Sequence, residues 1–193
     1  MPTIIFTGRF QPLHMGHIHF LEAVKRKHPE DLLLLCVIRN TMRNQIAKVD
    51  STFHQLSQKK QTQVNNPLPN WNRYRLLSLA VQGNDILKWN TEIIFRNRSD
   101  VDWDESVVDL PKDRIWVFPK YGKEVFDKEK VAFYQSKREC IEIIEFYDDN
   151  AAYSATTIRN QLKEYGKNAD LSFLPNACRE YFCDECMEYF FND

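Results

Sequence analysis

Ten residues, Gly8 to His17, read GRFQPLHMGH and hold two histidines, an arginine and two glycines. Each of these types serves phosphate chemistry. Arg9 supplies a planar, permanently charged, bidentate donor. An imidazole donates to a phosphoryl oxygen, more strongly when protonated. His14 and His17 are separated by Met15 and Gly16, and near a helix start that spacing directs both rings towards one bound polyphosphate. Gly8 lets backbone approach a ligand closely, and Pro12 stiffens the turn. Without these neighbours, the histidine pair would suit a buried histidine or a metal site. Zinc is the weaker reading, because no third ligand lies in a local pattern.

A second constellation lies far along the chain. Tyr153 to Arg159 reads YSATTIR at the start of a helical pattern. Ser154 is placed to cap that helix. Thr156 and Thr157 add hydroxyls, and the first turn keeps free backbone N–H groups. Arg159 sits one turn further in, within reach of the same anion. Alone, this segment is an ordinary capped helix. Paired with the first, it makes two phosphate-binding elements.

The elements that must position these residues alternate. Thr3–Thr7 predicts a first strand and Met15 to Lys27 a first helix, with Ile18, Leu21, Ala23 and Val24 facing in. GRFQPLHMGH therefore joins a strand to a helix, where open α/β sheets bind ligands and helix N-termini favour phosphate. Asp31–Ile38 carries the continuous apolar run of a strand buried on both faces. Arg39 to Asn66 is polar and without clear periodicity, which predicts a lid, a mobile loop or a surface insertion. A helix over Trp71–Val81 follows, ended by Gly83-Asn84. Strands are expected at Thr91–Phe95, Arg114–Phe118 and Cys140–Phe146, and helices at Asp104–Leu110, Lys123–Gln135 and Ser154–Tyr165, the last stopped by Gly166. A final helix is expected from Pro175 to Phe191. The pattern predicts an α/β fold, a mostly parallel five-stranded sheet with helices on both faces and a C-terminal helical segment.

The 193 residues are 43% hydrophobic, enough for one domain with a full core. With no composition break, the expectation is a single domain over 1–193, a core to residue 166 and a helical segment from 167. A net charge of −1 gives no whole-molecule reason to bind nucleic acid or an anionic membrane. No apolar run approaches the ~20 residues of a membrane span, and MPTIIFTGRF reads as a buried strand rather than a leader. A cytoplasmic protein is the expectation. Five cysteines, an odd number, argue against a disulfide framework. Cys183-x-x-Cys186 with Cys178 is a possible metal seed without an evident fourth ligand. Helical spacing among Tyr181, Phe182, Met187, Tyr189 and Phe190 favours packing on the sheet or a subunit contact, hence a possible homo-oligomer.

GRFQPLHMGH resembles the signature of the HxGH nucleotidyltransferase superfamily. Its Gly-Arg-Phe-Gln-Pro form resembles nicotinamide-nucleotide adenylyltransferases of the archaeal type and the adenylyltransferase half of bifunctional Nudix enzymes. Ser154–Arg159 resembles that family's second signature, which grips the ATP β- and γ-phosphates. Asn66-Pro67-Leu68 with Arg73, and Trp103 after the third strand, resemble further family segments. The resemblance covers about Thr3 to Gly166, and no Nudix domain is expected after it. It implies a Rossmann-like nucleotidyltransferase fold and transfer of AMP from ATP to nicotinamide mononucleotide, with Mg2+ carried by ATP. His14, His17, Arg9 and Arg159 would carry the transfer, with His17 on the α-phosphate, His14 on the phosphate chain and the arginines on the β- and γ-phosphates. Gly8, Phe10, Gly16, Ser154, Thr156 and Thr157 would line ATP, and no metal is expected on protein ligands. Trp103 would stack on nicotinamide by cation–π attraction, with Asp100, Asp102 and Arg73 also at the acceptor. Two departures flank the expected acceptor and adenosine sites: Val37-Ile38-Arg39-Asn40 with its polar insertion, and Phe118-Pro119-Lys120-Tyr121-Gly122-Lys123. They leave open another acceptor, such as nicotinate mononucleotide, or a non-catalytic nucleotide sensor.

Overall fold

The computed structural model describes residues 1–39, 52–59, 65–98, 103–120, 125–146 and 154–191. Five strands form one sheet: β1 (Thr3–Gly8), β2 (Leu33–Ile38), β3 (Thr91–Arg96), β4 (Arg114–Pro119) and β5 (Ile141–Ile144). Their order is β3-β2-β1-β4-β5, and every pairing is parallel. The chain winds outward from β1 on one side, then returns to β4 on the other. The seam between β1 and β4 is thus the switch point, where α/β sheets leave a crevice beyond the strand ends. The apolar runs of β1 and β2 occupy central positions and are buried almost throughout, while edge strands β3 and β5 are partly exposed.

Helices cover both faces: α1 (Met15–Lys27), α2 (Thr52–Lys59), α3 (Asn70–Gln82), α4 (Trp103–Val107), α5 (Val125–Ser136), α6 (Ala155–Tyr165) and α7 (Arg179–Glu185). Strand alternation divides the core. Ile4, Phe6, Leu33, Leu35 and Val37 meet α1, α3, α6 and the C-terminal segment, whereas Ile5, Leu34, Cys36 and Trp116 meet α4 and α5.

Two expectations are corrected. The polar stretch 39–66 is not without structure, for it contains α2, whose Phe53, His54 and Ser57 are buried. Phe53 packs on Phe133 of α5 with ring centroids 5.0 Å apart. Two turns with a single large buried apolar residue are too short for a periodic signal. The expected last helix is in fact α7 flanked by 3-10 turns at Asn176–Cys178 and Met187–Phe190. Asn72 on α3 donates to the Glu185 carbonyl at 2.8 Å, just where the helix ends. Gly83 ends α3 as expected, with φ −82°; a Cβ there would lie 2.7 Å from the Ala177 Cβ, so the glycine also permits close packing of the tail.

Two of the three tail cysteines take the packing role, while Cys183 is exposed. Cys178 and Cys186 are buried, and burial pushes their thiols up to about 12 and about 11. Among the described residues, no three of His, Cys, Asp or Glu gather to hold a metal, and no helix is long and apolar enough to cross a membrane.

Gly8 is needed for contact rather than for its torsion. A Cβ there would meet three atoms of the Phe10 ring at 2.8–3.1 Å, and that ring is only 1% exposed. Gly8→Ala is expected to cost about 1–3 kcal/mol, as overpacking does. Chemical denaturation checks this, and an unchanged midpoint would reject it.

Candidate active site

The loop between β1 and α1 is held by side chains that take its carbonyls. Phe10 has φ +50°, a left-handed conformation that a non-glycine residue keeps only when its surroundings impose it. Its ring turns back over Gly8 and packs on His17 with centroids 5.1 Å apart. The Arg9 carbonyl accepts from Arg73 Nη1 at 2.7 Å, and the same nitrogen donates to the Ile38 carbonyl at 2.7 Å. Arg73 thereby ties the loop to the end of β2. Gln11 is 3% exposed and makes a reciprocal pair with Leu68. Its Nε2 donates to the Leu68 carbonyl and its Oε1 accepts from the Leu68 N–H, both at 2.9 Å. The Gln11 carbonyl accepts from Arg159 Nη1 at 2.7 Å, joining the loop to α6.

The histidines stand where this loop becomes α1. Met15 N–H donates to the Phe173 carbonyl at 2.8 Å, so the tail anchors the helix start. The two imidazoles are in contact and tilted, with centroids 3.8 Å apart and planes 36° apart. The His14 backbone N–H donates to His17 Nδ1 at 3.3 Å. An imidazole nitrogen that accepts carries no proton, so the contact assigns the neutral His17 proton to Nε2. Burial holds His17 well below its usual 6.5, and the adjacent His14 adds to the effect. At neutral pH His17 is an uncharged Nε2–H donor, fixed in tautomer and in place.

Arginines converge on the loop that precedes this donor. Burial, then Arg159, then Arg98 hold Arg9 down to about 10, still charged at neutral pH. Burial and Arg9 hold Arg73 down to about 10, and burial lowers Arg159. Arg9 donates to Asn66 Oδ1 at 3.3 Å. Arg159 Nη2 donates to Asn65 Oδ1 and to Thr156 Oγ1, both at 3.2 Å. Ser154 caps α6 by accepting from the Thr157 N–H at 3.1 Å, and Ser154, Thr156 and Thr157 are exposed. Lys130 of α5 reaches the Thr7 carbonyl at 3.4 Å. Mutual repulsion among cations is costly to assemble and is relieved by a polyanion.

The structure therefore brings together Gly8, Arg9, Phe10, His14, Gly16, His17 and Arg159, with the α6 cap beside them. The acceptor residues fare differently. Arg73 is 0% exposed, and its guanidinium is engaged by backbone carbonyls and Asn70, so it braces the loop from behind. Trp103 is partly buried among Trp116, Phe133 and Tyr134, and the buried Arg96 lies 5.9 Å from its ring centroid. It is a packing residue over much of its surface rather than an open indole. Asp100 and Asp102 lie outside the described residues. Gln11, Asn65, Arg98 and Lys130 were not singled out from sequence. Gln11 sits inside the motif, as a polar amide between Phe10 and Pro12, and Arg96-Asn97-Arg98 places two arginines at a strand end, so both signals were present.

The sequence profile of the cytidylyltransferase-like family matches residues 5–161. No curated protein sequence matches the chain. Among solved structures, the chain is similar to a bifunctional NMN adenylyltransferase/ADP ribose pyrophosphatase from Francisella tularensis, complexed with AMP and a manganese ion. The TM-score is 0.60 at 14% identity, over 98% of this chain and 52% of that one. The chain thus spans about half the length of that enzyme, which it resembles in fold. With the profile spanning most of its length, the chain belongs to the cytidylyltransferase-like family.

Proposed function

We propose that residues 1–193 act as one adenylyltransferase unit that moves AMP from ATP to nicotinamide mononucleotide, giving NAD and pyrophosphate. An oxygen of the acceptor 5′-phosphate attacks the ATP α-phosphorus in line. The bond from that phosphorus to the α–β bridging oxygen breaks, and pyrophosphate leaves with the electron pair. No protein nucleophile takes part. The work is positioning and stabilisation of negative charge. His17 Nε2–H serves the α-phosphate, His14 the phosphate chain, and Arg9 and Arg159 the β- and γ-phosphates. The side chains gathered here are cationic or neutral donors, which suit phosphate oxygens. Mg2+ fits as part of the ATP complex, held by phosphates and water, where it neutralises charge on the departing pyrophosphate. Trp103 retains an acceptor-base place through its exposed portion.

The observation that carries this reading is the Arg159–Gln11 hydrogen bond. It binds the two phosphate elements into one cradle around a neutral His17. The experiment incubates the chain with ATP, Mg2+ and a panel of phosphate acceptors. NAD and pyrophosphate in equal amounts are expected with nicotinamide mononucleotide. Greater turnover with nicotinate mononucleotide or another phosphate would reassign the acceptor. ATP binding without pyrophosphate release from any acceptor would leave a nucleotide sensor.

A further inference from the structure

We propose that Arg98, braced by Ser57 of the insertion helix α2, binds the 5′-phosphate of the acceptor. This rests on the reading of the chain as an adenylyltransferase that acts on a phosphate acceptor. Arg98 lies two residues past the end of β3, and β3 is on the opposite side of β1 from β4. It is only 9% exposed, and its Nη2 donates to Ser57 Oγ at 3.2 Å. A closed position with a fixed hydroxyl partner orients a guanidinium in a way that an exposed arginine is not oriented.

The arginines divide by origin. Arg159 comes from α6, where it holds Thr156 and the Gln11 carbonyl, and so belongs with the triphosphate element. Arg98 comes from the β3 side. Arg9 feels the charge of both. Nucleotidyl transfer needs such a division. It brings two anionic groups into contact, the acceptor phosphate and the α-phosphate. One shared cation at their seam reduces repulsion, while a cation on each far side sets the line of attack.

The same contact gives the polar insertion a role. Ser57 and His54 are buried polar residues of α2, and α2 packs on α5, the helix that carries Lys130. Through Ser57, the insertion sets the direction of a guanidinium at the acceptor side.

The test uses the full chain with Arg98→Ala, Arg98→Lys and Ser57→Ala. KM is measured separately for ATP and nicotinamide mononucleotide. Binding of that nucleotide and of its phosphate-free riboside is measured by titration with a non-hydrolysable ATP analogue present. Losing hydrogen bonds to a charged group predicts that Arg98→Ala raises the acceptor KM roughly tenfold or more, with the ATP KM within about twofold. It should also abolish the preference for nucleotide over riboside. Arg98→Lys keeps charge without the bidentate fork and should be intermediate, and Ser57→Ala should move the same parameter less. Because Arg98→Lys retains the charge, it stands in if the alanine variant does not fold. An unchanged acceptor KM, a rise in the ATP KM instead, or a retained preference for the nucleotide would overturn the proposal. Failure of the wild type to release pyrophosphate with nicotinamide mononucleotide would sink the reading of function. The titration would still report whether Arg98 recognises phosphate.

Discussion

Replacing His17 with alanine is expected to lower kcat for pyrophosphate release by roughly 10²–10³-fold, the usual loss when one preorganised donor to developing charge is removed. The imidazole is well fixed for that task. Its Nδ1 accepts from the His14 N–H, Phe10 packs on one side, and the His14 ring is in contact with it. The proton on Nε2 therefore needs no reorganisation when charge builds on the transferring group. His17→Gln places an amide N–H near the same position and should recover part of the rate. Near-normal turnover of purified His17→Ala would reject the assignment. The depressed His17 value also predicts a pH dependence. The unfolded chain binds a proton near 6.5, but the folded chain does so only at lower pH. Between those values the unfolded state holds more protons, so stability falls as pH drops below 6.5 and is unaffected by this group above it. His17→Gln should flatten that part of the curve in denaturation midpoints measured across acidic pH. A bound triphosphate favours imidazolium, so ATP binding below neutrality should take up a proton. Calorimetry in buffers of different ionisation enthalpy measures this.

Sequence carried some parts of this molecule well and others poorly, for physical reasons. Continuous apolar runs such as Leu33–Ile38 can only be satisfied on both faces of a buried strand, so a parallel sheet alternating with helices was readable, while the strand order was not. The two proposed phosphate elements are each local in sequence: Arg9, His14 and His17 fall between the end of β1 and the first turn of α1, and Ser154 and Arg159 fall within the first two turns of α6. What joins them is not local. Gln11 meets Leu68, Arg73 meets the Arg9 and Ile38 carbonyls, and Arg98 meets Ser57 across a long separation. Only folded coordinates reveal such partners. Arg73 illustrates the cost, since its type and spacing mark a ligand residue as well as a buried brace. Trp103 is similar, because an indole at a strand end reads alike whether it faces a ligand or Trp116. Asn72, which ends α7 from another helix, gave no sign in the tail's own sequence.

Arg159→Ala is expected to be the most damaging change in the second element, with at least about a hundredfold loss in kcat/KM for ATP. Two effects combine. A cation leaves the triphosphate side of the cradle, and the Gln11 carbonyl loses its donor at 2.7 Å. The second effect reaches the histidines, because Gln11 lies in the loop that sets the start of α1. Arg159→Lys separates the two. It keeps the charge but cannot bond Gln11, Asn65 and Thr156 together as a fork does. If charge dominates, the lysine variant should recover most of the ATP KM. If the clamp dominates, kcat should stay low while ATP still binds, because His17 is no longer aligned. Thr156→Ala adds a control, since Thr156 Oγ1 accepts from Arg159 and is remote from the Gln11 carbonyl in sequence. A modest rise in the ATP KM without loss of kcat is expected there. Equal, wild-type values of kcat/KM in Arg159→Ala and Arg159→Lys would remove Arg159 from the cradle, and with it the argument that the two phosphate elements act as one.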